Sequence, residues 1–347
     1  MKTKILFLVI VFSSSFSFAR NWQRIEIPGA LCGNGEPYSV FIDKRAGDKL
    51  LVEFMGGGAC WSEGTCYGNS PLTNLAPLPG NPTTSMMASK PSPWVDYTAL
   101  YFPYCTGDVH AGFHQNSYKQ GVQIYHYGAL NVQKALQHLQ DLNLIPFHDV
   151  NDLIVWGYSA GAIGAFLHTQ TLAPYFNTNT RKTLIADSPG LHFGKNFWHK
   201  FTPELSRDFR SSFGKIDLNY SEDTGLLTPY MGPVFVKLSD WKIGILQSTK
   251  DIVMSLVFGD ISPEDHKKLV LGPQGIATVA KDYPNTYVWI IDVMTHTFLL
   301  RSSTVDQKNS AGESAWEFAL RVYEGAAEAP HRRLKKKTPE LIGGFLD

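Results

Sequence analysis

The chain has 347 residues, of which 44% are hydrophobic, and its 31 Lys and Arg side chains are balanced by 31 Asp and Glu side chains. This length allows one large α/β domain or two smaller ones, with a substantial buried core. Because the charges balance, the composition excludes the general basic character that nucleic acid or an anionic membrane surface would require. A basic cluster between residues 332 and 337 is typical of a solvated tail, with a polyanion contact as the alternative.

The N-terminal segment has the features of a secretory signal peptide. Lys2 and Lys4 precede an apolar run at residues 5–12, and a Ser-rich stretch ends in the small-x-small pattern Ser-Phe-Ala at residues 17–19. The apolar run is too short to span a membrane, and no later segment is long and apolar enough to do so. We predict cleavage after this pattern and a secreted or periplasmic mature chain, with an uncleaved amphipathic N-terminus as the alternative.

Four cysteines, Cys32, Cys60, Cys66 and Cys105, all lie in the first third of the chain. In an oxidising compartment an even number of cysteines implies two disulfides, and spacing alone leaves three pairings open. The short separation of Cys60 and Cys66 favours a small closed loop, which leaves Cys32 with Cys105. A zinc site is the rival interpretation, but the chain has neither Cys-x-x-Cys nor paired histidines beside these cysteines.

Two early strands are predicted at residues 37–44 and 49–54, joined by a turn. The second strand leads directly into Gly56, Gly57 and Gly58. Consecutive glycines after a strand suit a loop whose main-chain N–H groups must approach another group closely. A phosphate-binding loop lacks its Gly-Lys-Ser/Thr here, so an oxyanion hole is the better interpretation.

A long irregular loop is predicted at residues 70–94, which are rich in Pro, Ser, Thr and Asn. Such a loop either covers a site or is only a surface excursion. Met86 and Met87 could pack it against the core. A buried strand at residues 97–102 follows, and then a helix at 128–142 with apolar residues at helical spacing.

A Gly-x-Ser-x-Gly pattern at residues 157–161 follows an apolar, β-branched run and precedes an apolar helix pattern at 160–172. This context is typical of a nucleophile elbow, in which a serine lies on a tight turn between a strand and a helix. The turn is crowded, so Gly157 and Gly161 supply the small residues that it needs. Ser159 is therefore the candidate nucleophile, and a structural Gly-rich turn is the alternative.

Further strands are predicted at residues 183–187, 243–247 and 286–291, and a closing helix at 314–323. Strands that alternate with helices predict an α/β fold with a mostly parallel sheet. Residues 193–241 interrupt this pattern and read as an insertion packed over the sheet. Its aromatic side chains could line a pocket, although core packing is their more frequent role. They are Phe197, Trp198, Phe201, Phe209, Phe213, Tyr220, Tyr230 and Phe235.

A serine nucleophile needs a base, usually a histidine that a carboxylate holds in the correct tautomer. In elbow-type hydrolases the chain order is Ser, then Asp or Glu, then His. His296 follows a convincing late strand and is the candidate base for Ser159. Three acids compete, and we favour Asp251, which follows the strand before the histidine strand, then Asp187, then Asp292.

Several short motifs occur together from residue 32 to residue 296. They are Cys32-Gly33-Asn34-Gly35-Glu36-Pro37, Gly56-Gly57-Gly58-Ala59-Cys60 with Cys66, Phe102-Pro103-Tyr104-Cys105-Thr106-Gly107-Asp108, Gly157-Tyr158-Ser159-Ala160-Gly161, Ala186-Asp187-Ser188, Gln247 with Asp251, and Thr295-His296. In this set and order the chain resembles the pectin acetylesterase and Notum family of secreted carboxylesterases.

The resemblance implies an α/β-hydrolase-like fold and a triad of Ser159, Asp251 and His296. It also implies an oxyanion hole formed by the main-chain N–H groups of Gly57, Gly58 and Ala160. It favours the disulfides Cys32–Cys105 and Cys60–Cys66. The chain departs from the family at Gly58, where members such as Notum have tryptophan, at Pro189, and at Thr297 and Phe298, where members tend to have Cys and Gln.

The leading hypothesis is a secreted, monomeric serine carboxylesterase of one catalytic domain, residues 20–347, with insertions at about 70–94 and 193–241. The reaction requires neither a cofactor nor a metal ion. By resemblance, the expected substrate is an acetyl ester on a polysaccharide such as pectin. A longer, lipid-type acyl ester is the alternative, and an inactive binding protein on the same scaffold is the alternative from another class.

Overall fold

The computed structural model describes residues 20–69, 71–83, 85–89 and 92–325. The predicted signal peptide and the basic cluster lie outside these described residues. The strands are β1 Gln23–Leu31, β2 Pro37–Asp43, β3 Lys49–Phe54, β4 Thr98–Phe102, β5 His114–Lys119, β6 Val122–His126, β7 Asp152–Tyr158, β8 Arg181–Asp187, β9 Trp241–Ser248 and β10 Thr286–Ile291. The α-helices are α1 Glu63–Tyr67, α2 Gly128–Asp141, α3 Ala160–Leu167, α4 Thr169–Leu172, α5 Pro203–Gly214, α6 Met231–Lys237, α7 Pro263–Leu271, α8 Ile276–Ala280, α9 Ser302–Val305 and α10 Ala315–Glu324.

A mixed sheet of eight strands forms the centre of the molecule, in the order β1-β2-β4-β3-β7-β8-β9-β10. β2 is antiparallel to both of its neighbours, whereas the six strands from β4 to β10 are all parallel. β5 and β6 form a separate antiparallel hairpin. The prediction of an α/β-hydrolase-like fold with a mostly parallel central sheet flanked by helices is confirmed.

The central strand β7 is buried on both faces, which explains its continuous apolar sequence. Leu153 and Val155 face the larger core, which includes residues of α2 and α3 and the aromatic insertion. Ile154 and Trp156 face the opposite core, which includes residues of α10. Because side chains alternate along a strand, β7 joins the two cores of the sheet. Among the described residues, no helix is both long and apolar enough to cross a membrane.

The described part of the Pro-rich loop is tied to the sheet at several points. Leu72 and Thr73 lie against Gly58, the last glycine of the loop after β3. Met87 is fully buried in the core shared with α10. The buried guanidinium of Arg20 donates to the carbonyl oxygens of Ala88, Trp94 and Tyr97 at 2.9, 3.0 and 2.6 Å. The described part of this loop is therefore packed against the core at these points.

The structure contains both disulfides that the resemblance implies, Cys32–Cys105 and Cys60–Cys66. The first links the residue after β1 to the segment after β4 and spans 73 residues. A closure of this length stabilises the fold by about 4 kcal/mol in the chain-entropy model. The second closes the short loop that carries α1, next to the glycine loop.

The structure differs from the sequence-based expectation at β1 and at the helix after Ser159. β1 was not predicted, because Pro28 and Gly29 interrupt its pattern and the pairing with β2 shifts register between Glu26 and Leu31. The predicted helix at 160–172 is broken at His168, whose Nε2 lies 2.9 Å from the carbonyl oxygen of His110. The insertion at 193–241 contains α5 and α6, whose buried apolar residues belong to the same core as Leu153 and Val155 of β7.

Candidate active site

Ser159 lies between β7 and α3 with φ 56° and ψ −128°, a conformation that non-glycine residues rarely adopt. Its main-chain N–H donates to the carbonyl oxygen of Asp187 on the neighbouring strand at 2.9 Å, and its carbonyl oxygen accepts from Ala162 at 2.9 Å. These contacts hold Ser159 in a backbone conformation whose strain costs about 1–3 kcal/mol. The result is the strand-to-helix turn expected of a nucleophile elbow.

The small residues on either side of Ser159 are required by close packing. A Cβ atom on Gly157 would lie 2.0 Å from the carbonyl oxygen of Gly161. A Cβ atom on Gly161 would lie 2.1 Å from the carbonyl oxygen of Phe54, the last residue of β3. Gly157 is therefore closed in by the start of α3 and Gly161 by the end of β3, so neither position can carry a side chain.

The glycine loop after β3 is fixed by its neighbours. Gly58 has φ +82°, and a Cβ atom there would lie 1.8 Å from the carbonyl oxygen of Leu72. The Tyr104 hydroxyl donates to the Gly58 carbonyl oxygen at 3.0 Å and accepts from the Val109 N–H at 2.7 Å. His110 Nε2 lies 2.9 Å from the carbonyl oxygen of Met55, at the start of the loop. This support could preorganise main-chain donors, which is what an oxyanion hole needs.

A cleft that is partly open to solvent begins at the elbow. Gly58, Ser159 and Ala160 line it together, while Gly57 does not. Almost all of the remaining wall is apolar and aromatic. The other lining residues are Ala59, Val109, Ile163, Pro189, Gly190, Phe193, Phe197, Trp198, Phe201, Phe209, Phe213, Leu227, Met254 and Phe258.

The sequence analysis identified only part of this wall. Five of the eight aromatic residues named for the insertion line the cleft, whereas Tyr220, Tyr230 and Phe235 do not. Met254 and Phe258 were not singled out, although both follow Asp251 within a short apolar stretch that could have indicated them. In the structure this stretch forms one turn of π-helix, 253–257, which presents residues after Asp251 to the cleft.

Asp251 and His296 are brought together by the ends of β9 and β10. His296 Nδ1 lies 2.8 Å from Asp251 Oδ2, and Asp251 is fully buried. Asp251 Oδ1 accepts the N–H groups of Val253 and Met254, both at 3.0 Å. Burial lowers the pKa of His296, but the adjacent Asp251 carboxylate and the charge of Asp187 outweigh it, so the pKa of His296 is raised.

The two other candidate acids have different partners. Asp187 Oδ2 accepts the N–H groups of Phe298 and Leu299 at 2.7 and 2.8 Å. Asp292 Oδ1 accepts the Thr249 hydroxyl at 2.5 Å, and Asp292 Oδ2 lies 2.6 Å from Lys267 Nζ. Of the three acids weighed in the sequence, Asp251 is therefore the one hydrogen-bonded to the imidazole.

His296 Nε2 is buried and has no hydrogen-bond partner within the described residues. Ser159 Oγ is not hydrogen-bonded to it, although both residues belong to the described part of the chain. Both lie at the carboxyl-terminal edge of the sheet, since Ser159 and the loop after His296 are bonded to the same residue, Asp187. Catalytic hydrogen bonds are often absent or long before substrate binds.

Two buried histidines, which the sequence did not indicate, lie behind Asp251. His266 Nδ1 is 2.7 Å from the carbonyl oxygen of Thr249, and its ring packs edge-on against His192 at 5.9 Å. Burial lowers the pKa of His192 to about 3, and burial also lowers the pKa of His266. Both therefore remain neutral near pH 7. Within the described residues, no group of three or more His, Cys, Asp or Glu side chains is placed to hold a metal ion.

Comparison with known proteins identifies the family. The model of the pectinacetylesterase family matches residues 20–200, slightly more than half of the chain. Palmitoleoyl-protein carboxylesterase notum1' of Xenopus laevis is 24% identical over 151 residues. That alignment covers 41% of this chain and 30% of the Xenopus protein, so the chain spans less than a third of that relative. On the family match, this chain belongs to the pectinacetylesterase family.

Proposed function

We propose that this protein is a serine carboxylesterase. Ser159 attacks the ester carbonyl carbon, His296 takes the hydroxyl proton and returns it to the leaving alcohol, and Asp251 orients His296. Water then hydrolyses the acyl-enzyme by the same route. The observation that carries this proposal is the Asp251–His296 hydrogen bond of 2.8 Å. It leaves Nε2 of His296 without a partner at the same carboxyl-terminal edge of the sheet as Ser159.

The tetrahedral intermediate needs donors for its oxyanion, and these are the N–H groups of Gly57, Gly58 and Ala160. In elbow-type hydrolases one donor follows the nucleophile and another comes from a loop after an earlier strand. Ala160 follows Ser159, and the glycine loop follows β3. The lining of one cleft by Gly58, Ser159 and Ala160 supports this assignment.

An acetyl ester on a polysaccharide such as pectin is the substrate that the family suggests. The alcohol part of such a substrate is large and polar, so it would remain at the open mouth of the cleft. The acetyl group would then occupy only the part of the cleft nearest Ser159. We propose this class first, since the family match covers the elbow and the glycine loop.

The apolar cleft favours a second candidate, an ester of a longer acyl chain. Its wall consists largely of Phe, Trp, Leu, Ile and Met side chains, which suit an alkyl chain better than a polar group. Burying each additional methylene there would contribute about 0.8 kcal/mol to transition-state binding. The Xenopus relative is named as an esterase of a long-chain acyl group, which agrees with this candidate.

The test is hydrolysis of p-nitrophenyl esters from acetate to octanoate and of acetylated pectin, together with reaction of Ser159 with a fluorophosphonate probe. The Ser159→Ala variant is expected to lose on the order of 10⁶ in kcat. Ser159→Ala hydrolysis at the parent rate would overturn the esterase proposal. Failure of the oxidised parent protein to react with the probe would instead favour a binding protein on this scaffold. A hydrolysis rate that declines once the acyl chain exceeds a few carbons indicates an acetylesterase. A rate that rises toward octanoate indicates an esterase of longer acyl chains.

We further propose that residues 20–347 form one catalytic domain with the insertions 70–94 and 193–241, and that the protein acts as a secreted monomer. The two disulfides support an oxidising compartment. Intact mass of the protein released by the producing cells tests the cleavage after Ala19. Sedimentation tests the oligomeric state, and a dimer would contradict the proposal.

A further inference from the structure

The loop that follows His296 is bonded to the end of β8 by three main-chain N–H groups. Those of Phe298 and Leu299 donate to Asp187 Oδ2 at 2.7 and 2.8 Å. That of Thr297 donates to Ser188 Oγ at 3.2 Å, and the Ser188 hydroxyl donates to Asp187 Oδ1 at 3.1 Å. Asp187 and Ser188 are completely buried, so no solvent competes for these bonds.

The same contact holds a strained backbone. Thr297 has φ 68° and Ser188 has φ 56°, both in the left-handed region. A β-branched residue such as threonine is rarely found there, and it persists only where its surroundings hold it. The residue directly after His296 is therefore kept in an unfavourable conformation by its bond to the end of β8.

Asp187 also contacts the nucleophile. Its carbonyl oxygen accepts the N–H of Ser159 at 2.9 Å, while its carboxylate holds the loop of His296. We propose that Asp187 is a positioning residue that sets where His296 lies relative to Ser159, while Asp251 alone is bonded to the imidazole. This inference rests on the esterase function proposed above, and it assigns to Asp187 a role distinct from that of the triad acid.

Asp187 acts by charge as well as by geometry. The titratable groups that face His296 are Asp251, Asp187 and His266, the last of which is neutral near pH 7. Burial raises the pKa of Asp187 to about 6, so it is ionised in the neutral range where the esterase would work. There its charge adds to that of Asp251 and raises the pKa of His296. A purely structural side chain would leave that pKa unchanged.

Three variants separate these effects. Asp187→Ala removes the acceptor of two buried N–H groups together with the charge. Asp187→Asn keeps an oxygen that can accept both N–H groups, removes the charge, and replaces the acceptor of the Ser188 hydroxyl with an amide NH2. The matched control is Asp152→Asn at the opposite end of β7, because Asp152 is also buried and accepts from Tyr97, Tyr323 and Arg181.

The measurements are the rate of Ser159 labelling by a fluorophosphonate probe and the p-nitrophenyl ester kinetics across a pH series. We expect Asp187→Ala to lose about 10²-fold in kcat and labelling rate, with little change in KM, because the reacting groups are misplaced. Asp187→Asn should keep kcat within about tenfold of the parent at neutral pH, and its acid limb should move to lower pH. Asp152→Asn should lower the unfolding midpoint and leave kcat unchanged.

Parent-like labelling by Asp187→Ala, or an unmoved acid limb in Asp187→Asn, would overturn the inference. If Asp187→Ala does not fold, the acid limb of Asp187→Asn decides alone. A parent protein that does not label, or a Ser159→Ala variant that labels equally well, contradicts the esterase proposal itself. The two failures are therefore distinguishable.

Discussion

His296 Nδ1 lies 2.8 Å from Asp251 Oδ2, and the other oxygen of that carboxylate accepts two main-chain N–H groups, from Val253 and Met254. The carboxylate cannot rotate without breaking all three bonds. It therefore accepts the Nδ1 proton and leaves Nε2 as the basic nitrogen of the neutral ring. This is the tautomer that a serine hydroxyl needs as its proton acceptor.

Asp251→Asn is expected to lower kcat by about 10⁴ with little change in KM, since the amide favours the wrong imidazole tautomer. Steady-state kinetics with a p-nitrophenyl ester measure the loss. Asp292→Asn is the matched control, because Asp292 also follows a strand of this edge but contacts Thr249 and Lys267. Equal losses in the two variants would contradict the assignment of the triad acid.

The pH dependence of kcat/KM should have an acid limb above pH 6.5, the ordinary pKa of histidine. The base must be neutral, and the charges of Asp251 and Asp187 outweigh burial and raise the pKa of His296. Activity therefore falls as pH decreases through this raised value. A pH series of kcat/KM checks it, and Asp251→Asn should move the limb to lower pH. A limb at or below about pH 6.5 in the parent would contradict the expected charge effect.

Gly58→Ala should destabilise the protein by about 1–3 kcal/mol and lower kcat, because the new Cβ atom meets the Leu72 carbonyl oxygen in a left-handed backbone. Urea unfolding and ester kinetics measure the two effects. Gly47→Ala is the control for backbone strain, since Gly47 has φ +110° and no atom within 4 Å of its added Cβ. If both variants lose the same stability and keep parent kcat, the close contact with Leu72 has no consequence.

Ile163→Phe should narrow the cleft next to Ser159 and change acyl-chain preference. We expect kcat/KM for octanoate to fall at least about tenfold, while kcat/KM for acetate stays within about threefold of the parent. Rates for p-nitrophenyl esters of increasing chain length measure this change. Val236→Phe makes a similar increase in size on the exposed side of α6, where Val236 is 63% exposed, and should alter neither rate. An unchanged chain-length profile in Ile163→Phe would exclude this cleft as the acyl site.

His192→Phe should reduce the sensitivity of the fold to acid. The folded-state pKa of His192 is about 3, so the unfolded chain binds more protons below pH 6.5. The contribution of neutral His192 to the free energy of unfolding is complete above pH 6.5 and is lost as pH falls toward 3. At pH 5 the loss amounts to about 2 kcal/mol.

Urea midpoints of the parent and of His192→Phe at about pH 7.5 and about pH 5 measure this difference. The variant should lose about 2 kcal/mol less stability than the parent between the two conditions. His148→Gln at an exposed position is the control and should follow the parent. Parallel losses in His192→Phe and the parent would show that His192 does not stay neutral at pH 5.

The features that were predictable from the sequence are those that depend on the local pattern of apolar and small residues. β3, β8 and β10 have apolar or alternating runs with clear ends, so their bounds agree with the structure within about two residues. The elbow was predictable since its turn forces small residues at Gly157 and Gly161. β1 was not predicted, because Pro28 and Gly29 interrupt its strand pattern.

Contacts between segments that are distant in the chain could not be predicted from the local sequence pattern. Asp187 was considered only as a rival triad acid, because nothing near it in sequence shows that it bonds to Leu299, 112 residues later. The same holds for His192 and His266, whose rings meet across 74 residues of chain. Aromatic residues in the insertion were visible, but which of them face the cleft depends on how α5 packs. The local hydrophobic pattern of a sequence indicates which side chains are buried, but it does not indicate which distant residue a buried side chain contacts.

The anchoring of the Ser159 amide and the loop after His296 to one residue has a mechanical consequence. When the sheet twists or shifts, β8 carries the serine's amide and the histidine's loop in the same direction, because both are bonded to Asp187. The serine amide and the histidine loop thus share one point of attachment, so a displacement of Asp187 would move both at once.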